Sequence, residues 1–187
     1  MGAVSPHIFT LPGWLGSTAL HWQSRWEAVF GDERVEQHDW MQPLRGDWIT
    51  RLEDMVQNQL KKRPELPIAF VAHSLGCHLV ASWAALSPNV SKVAGALLVA
   101  PPDPLQANLP PQLHSWRKPV LNQLPFKTTL IASTNDPFCS FAVAEQLAKN
   151  WGAEVVNIGE RGHINAESGL GDWPAGREML NKLTKTK

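Results

Sequence analysis

Cysteine is scarce in this 187-residue chain: Cys77 and Cys139 are the only two. They offer no disulfide framework and fit a reducing compartment. Charge of one sign is missing as well, with 17 Lys and Arg against 17 Asp and Glu. No basic stripe stands out, so the electrostatic footprint of a nucleic-acid binder is lacking. The longest wholly apolar stretch, Val93–Ala100, has a glycine inside it and is far shorter than the roughly 20 residues of a helical membrane span. The start Met1-Gly2-Ala3-Val4-Ser5-Pro6 has no basic region followed by an apolar run and does not fit the myristoylation pattern. The expected location is cytoplasmic. Neither G-x-G-x-x-G nor G-x-x-x-x-G-K-S/T occurs, which removes support for a nucleotide cofactor. His73 with His78 is the nearest approach to a metal pattern, but no Glu or third His joins them at metalloprotease spacing. No cofactor and no metal are expected.

What the chain does have is a regular alternation of strand and helix signals, read as one domain over residues 1–187. Strands are expected at His7–Leu11, Arg34–His38, Ile68–His73, Gly95–Ala100, Thr128–Ser133 and Glu154–Ile158. Helices are expected at Leu20–Phe30, Asp47–Lys61, Leu75–Leu86, Ser140–Asn150 and Pro174–Thr184. That order implies an α/β class, a three-layer α/β/α sandwich with a mostly parallel sheet. Pro101–Pro125 breaks the regularity, being rich in Pro and containing His114 and Trp116. Two readings of it stay open: a reduced lid or substrate wall over the sheet edge, or a long surface connection.

Chemistry concentrates at Phe70-Val-Ala-His-Ser-Leu-Gly76, an apolar strand that runs through a serine into a helical pattern. A serine on such a strand–turn–helix junction is presented as a nucleophile, provided the residues two before and two after are small. Ala72 and Gly76 meet that need around Ser74. A nucleophilic serine needs a His to take its proton and an acid to orient that His, following in the order Ser, Asp or Glu, His. The run Lys127–Ser133 leads to Asp136, and Ala153–Ile158 leads through Gly159 to His163. Parallel strands end on one edge, so Ser74, Asp136 and His163 are expected to converge there as a catalytic triad. Each has an ordinary alternative: Ser74 as a helix N-cap, Asp136 as a turn former or the cap of a helix at Phe138–Asn150, His163 as a surface residue.

Pro12-Gly13-Trp14-Leu15-Gly16 follows the first strand. Acyl transfer puts negative charge on the carbonyl oxygen, which fixed backbone N–H donors stabilise. The expected oxyanion donors are Leu75, just after the nucleophile, and Trp14; Gly13 lets the backbone come close. The alternative is a plain glycine turn. Nine Trp stand against no Tyr. Trp22, Trp26 and Trp48 are read as core, whereas Gly13, Trp14 and Trp116 are read as substrate-binding, with the two tryptophans lining an apolar acyl pocket. His73 is read as a structural or substrate-flanking residue that points away from the nucleophile. Glu167 is a candidate brace for the His163 loop, with plain solvation as the alternative.

The Ala-His-Ser-Leu-Gly elbow, Ser133-Thr-Asn-Asp136-Pro137 and above all Gly162-His163-Ile-Asn-Ala-Glu-Ser-Gly-Leu-Gly-Asp-Trp-Pro-Ala-Gly176 carry a resemblance, joined by Pro12-Gly13-Trp14 and His21-Trp22. Together they resemble the small α/β-hydrolases grouped with human retinoblastoma-binding protein nine and its bacterial relatives. The resemblance spans essentially the whole chain. It implies a minimal α/β-hydrolase fold with Ser74, Asp136 and His163 in the family's triad positions, and it implies no particular substrate. The expected activity is a serine hydrolase, carboxylesterase-like, cleaving a small carboxylic ester or thioester through an acyl-enzyme. The expected partner is a small-molecule acyl substrate, with no nucleic acid and no membrane; a homo-oligomer is compatible with the sequence. The alternative is a protein-interaction module on a hydrolase scaffold with little use of the triad. A Leu-x-Cys-x-Glu motif is absent, and the nearest match, Leu75–Leu79, ends in Leu.

Overall fold

The computed structural model describes residues 5–185; the leader and myristoylation readings of the start fall partly on residues 1–4, outside that range. Six strands form one sheet: β1 (His7–Leu11), β2 (Glu33–Arg34), β3 (Ile68–His73), β4 (Val93–Val99), β5 (Thr128–Ala132) and β6 (Glu154–Asn157). Their order is β2-β1-β3-β4-β5-β6, and every neighbouring pair is parallel. The intervening helices are α1 (Trp22–Phe30), α2 (Arg45–Lys62), α3 (Leu75–Ala84), α4 (Phe141–Trp151) and α5 (Pro174–Thr184).

Side chains alternate across a strand, and the sheet sorts them into two cores. Phe70 and Ala72 of β3, Leu98 of β4 and Leu130 of β5 pack with α2, α3 and α4. Their neighbours Val71, Leu97 and Ile131 pack with Trp22 and Trp26 of α1 and Leu180 of α5. This gives the three layers, helices on both faces of a parallel sheet. Buried on both faces, β3 has no exposed residue and reads as a continuous apolar run.

Several ends move. β2, at Glu33–Arg34, shares only Arg34 with the strand expected at Arg34–His38: Val35 still donates to the Thr10 carbonyl at 2.9 Å, after which the Glu36 carbonyl turns to the Arg51 side chain. An edge strand has one partner, so side-chain contacts readily end it. α1 starts at Trp22 because the His21 ring accepts from the Gln23 N–H at 3.1 Å and caps the helix. α4 starts after Ser140, whose hydroxyl accepts from Val143, so Asp136 is not its cap.

The Pro101–Pro125 segment is packed down rather than hung over the edge. Leu109, Leu113, Trp116 and Leu124 are buried in the α2, α3 and α4 core. The Trp116 indole N–H donates to the Pro43 carbonyl at 2.6 Å, and the Arg45 side chain donates to the Lys118 carbonyl at 2.6 Å. The nucleophile helix is fastened to α2 as well: Glu53 accepts from the Trp83 indole, from Ser87 and from Asn89, each at 2.7 Å. Burial would raise the Glu53 pKa, but these donors together with Gln57 outweigh it and hold the carboxyl below its ordinary range. Among the described residues no helix is long and apolar enough to cross a membrane.

Backbone approach at the start of α3 leaves no room for a side chain at Gly76, where a Cβ would lie 2.2 Å from the Leu11 carbonyl oxygen. Gly76→Ala is therefore expected to cost about 2–4 kcal/mol, read as a lowered urea midpoint. Gly46→Ala, with nothing within 4 Å of the new Cβ, should stay within about 1 kcal/mol of the parent on the stabilising side.

Candidate active site

Ser74 follows β3 with φ 53° and ψ −124°, a conformation that L-residues seldom adopt. Such a residue stores about 1–3 kcal/mol of strain and persists only where its surroundings over-determine it. Here the Ser74 N–H donates to the Val99 carbonyl at 2.9 Å, and the Ser74 carbonyl accepts from Cys77 at 3.0 Å. The loop after β1 closes from the other side: a Cβ on Gly13 would lie 2.7 Å from the Ser74 Cβ and 3.1 Å from its Oγ. The hydroxyl makes no helix-capping bond. It points at His163, whose Nε2 is 2.9 Å from Ser74 Oγ.

His163 stands in the loop after β6, and Asp136 in the loop after β5. The His163 Nδ1 lies 2.9 Å from Asp136 Oδ2 and 3.1 Å from Oδ1. An ionised carboxylate only accepts, so Nδ1 is the donor and Nε2 is free to accept from the serine hydroxyl. Asp136 Oδ1 also accepts from the Phe138 N–H at 2.9 Å, which keeps the carboxylate aimed. The two side chains are 10% and 3% exposed, so solvent screens their contact little. The serine, histidine and aspartate named from sequence are thus brought into one hydrogen-bonded chain.

Beside Ser74, the loop 12–16 is held by bonds from Leu15 N–H to the Trp40 carbonyl and from Gly16 N–H to the Gly13 carbonyl, with Trp14 Nε1 donating to Met41 O at 3.1 Å. The Trp14 main-chain N–H has no acceptor among the described residues. Leu75 opens α3, so its N–H lacks an intrahelical acceptor and sits at the positive end of the helix dipole.

Trp116 corrects the reading of it as substrate-binding. It is 2% exposed and meets Trp48 edge-on at 5.8 Å, so the indole fills the core. Glu167 is exposed and its carboxylate holds nothing among the described residues; Asn165 and Ser168 brace that turn by reciprocal side-chain bonds. Phe138, missed from sequence, is 46% exposed with its ring 4.6 Å from the His163 ring, and it forms an apolar wall beside the candidate base. Its place two residues after Asp136 was the available signal. Burial, then Asp136 and Asp103, push the Cys139 thiol up to about 12, which disfavours the reactive thiolate. Burial also raises the Cys77 thiol, so the nearest match to an interaction motif is sealed in the core. His78 spends Nε2 on the Pro102 carbonyl, and no metal-holding cluster occurs among the described residues.

Relatives place this arrangement in context. A family model described as serine hydrolase matches residues 8–182. The chain belongs to the serine hydrolase family. It is similar to a YdeN-like hydrolase from Pectobacterium atrosepticum, with 30% identity over 96% of this chain and 91% of the other and a TM-score of 0.81. The fold is shared more distantly with a Bacillus cereus carboxylesterase, at 20% identity over 96% and 89% of the two chains and a TM-score of 0.55. It is shared also with the type II thioesterase BorB of the borrelidin biosynthetic cluster, at 17% identity over 97% and 92% and a TM-score of 0.61. No curated protein matches. The fold is thus that of the α/β-hydrolases.

Three buried histidines surround the site and its helix. Burial, then Arg34 and His163, lowers His21 to about 4; burial first also lowers His73 and His78. Each is neutral in the folded chain at pH values where the unfolded chain is protonated. Unfolding therefore takes up protons below about pH 6.5, and stability present above that value is lost as pH falls toward 4. His21→Asn keeps a capping acceptor for Gln23 and deletes one such group. Urea titrations across that window should show the slope of unfolding free energy reduced by about 1.4 kcal/mol per pH unit.

Proposed function

We propose that this serine hydrolase cleaves a small carboxylic ester or thioester through Ser74, His163 and Asp136, with residues 1–187 acting as one hydrolase domain. The observation that carries the reading is the continuous chain from Ser74 Oγ through the His163 ring to Asp136, each link 2.9 Å, on a serine whose backbone is strained.

His163 Nε2 takes the hydroxyl proton as Ser74 Oγ attacks the acyl carbon, and Asp136 holds the ring and stabilises the imidazolium. The tetrahedral oxyanion accepts from the main-chain N–H groups of Trp14 and Leu75, aided by the close approach that Gly13 permits. Collapse expels the alcohol or thiol, which takes the proton from His163. Water then loses a proton to the same nitrogen, attacks the acyl-enzyme and releases the acid with Ser74 restored. Gly13 and Trp14 flank the acyl group on one side, and Phe138 borders His163. Ester and thioester both leave as groups that one imidazolium can protonate, and the carboxylesterase and thioesterase that share this fold support that choice.

Hydrolysis of short p-nitrophenyl esters and of a short acyl thioester is the test. Ser74→Ala and His163→Ala should remove turnover, and Asp136→Asn should lower kcat about 10³- to 10⁴-fold by presenting the wrong tautomer. Gly13→Ala should lower kcat at least about 10-fold through displacement of Ser74. Turnover by folded Ser74→Ala at the parent rate would overturn the assignment.

A further inference from the structure

The loop bearing His163 is gripped from two sides. Toward β5, Ser133 Oγ accepts from the Arg161 N–H at 2.9 Å, and Asn135 Oδ1 accepts from the Gly162 N–H at 2.7 Å. Toward β3 and α1, two ring N–H groups reach successive carbonyls. His73 Nε2 is 2.9 Å from the His163 carbonyl oxygen, and Trp22 Nε1 donates to the Ile164 carbonyl at 2.8 Å. Between these anchors Ile164 is fully buried with φ 50°, a strained conformation for a β-branched residue. The loop leaves that basin unless bonds and packing hold it.

A carbonyl oxygen only accepts, so the His73 bond requires its hydrogen on Nε2. Burial, with His21 and His163 nearby, keeps His73 neutral. Its ring is walled in by His21 at 4.6 Å, His163 at 4.9 Å and Trp22 at 6.1 Å. His73 is also the residue directly before Ser74. The dipeptide His73-Ser74 therefore meets His163 twice, by Ser74 Oγ at the ring and by His73 Nε2 at the main chain.

We infer that His73 is a positioning residue for the base: its Nε2–H ties the main chain of His163 to the nucleophile's own strand and so sets the distance between base and nucleophile. Its catalytic meaning rests on the hydrolase reading above. Reach across that gap is geometric, and a displacement on the order of 1 Å costs about 100-fold in rate.

The discriminating pair is His73→Leu, which keeps apolar volume without the donor, and His73→Gln, which offers an amide N–H near the Nε2 position. Two readouts apply: kcat and KM for p-nitrophenyl acetate, and proton NMR of the His163 Nδ1–H shared with Asp136, assigned by its loss in His163→Ala. In His73→Leu, kcat should fall about 10- to 100-fold with KM within about 3-fold, and the Nδ1–H should exchange faster with water. In His73→Gln, both should return most of the way to the parent. A folded Leu variant with parent kcat and parent exchange overturns the inference, as does equal impairment of Leu and Gln. If the Leu variant does not fold, the Gln variant against the parent decides: wild-type-like kcat and exchange support the inference, and a fall in kcat of about 10-fold or more contradicts it. Absence of turnover in the parent would sink the hydrolase reading instead, while the exchange comparison would still decide whether His73 positions His163.

Discussion

The backbone of Ser74 is the constraint around which the rest is arranged. At φ 53° and ψ −124° the chain reverses from β3 into α3 within one residue, which lifts the hydroxyl above the sheet edge instead of leaving it as a helix cap. That conformation is tolerable only because neighbouring backbone can close on it. Gly76 lets α3 lie against the end of β1, Gly13 lets the next loop touch the serine, and the Val99 carbonyl takes its N–H. Strain in the serine, and the small residues that permit it, are two sides of one packing problem.

Parallel pairing does the remaining work. β3, β5 and β6 end on the same edge, so the residues just beyond them meet without any long excursion of the chain. Loops are then stiffened by specific hydrogen bonds: the Phe138 N–H donates to Asp136, Ser133 and Asn135 accept from the Arg161 and Gly162 N–H groups, and the His73 and Trp22 rings donate to the His163 and Ile164 carbonyls. The Trp-rich core serves the same end, because Trp22 joins core burial to a hydrogen bond in the histidine loop.

Much of this was legible in the sequence, for local reasons. The run into Ser74 and the small residues at 72 and 76 are backbone requirements, and those are written in neighbouring positions. The order Ser74, Asp136, His163 along alternating strands follows from topology. What escaped depends on contacts between distant segments. Trp116 lies in a proline-rich stretch that reads as a surface wall, yet its indole finds the Pro43 carbonyl and the Trp48 ring. β2 reads as a full strand, but the edge is cut short when Arg51 takes the Glu36 carbonyl. Glu167 looked able to brace the loop beside it, whereas the shorter Asn165 and Ser168 reach the backbone groups. His73 reads as a structural or substrate-flanking residue, and nothing local reveals that its ring meets the carbonyl of His163.

The measurement that tests the central claim most directly is peptide mapping of the protein after reaction with a fluorophosphonate, which requires an activated serine. One adduct per chain is expected, on Ser74, and none when His163 is replaced by Ala. An unmodified Ser74 in folded protein, or an adduct on another serine, would contradict it.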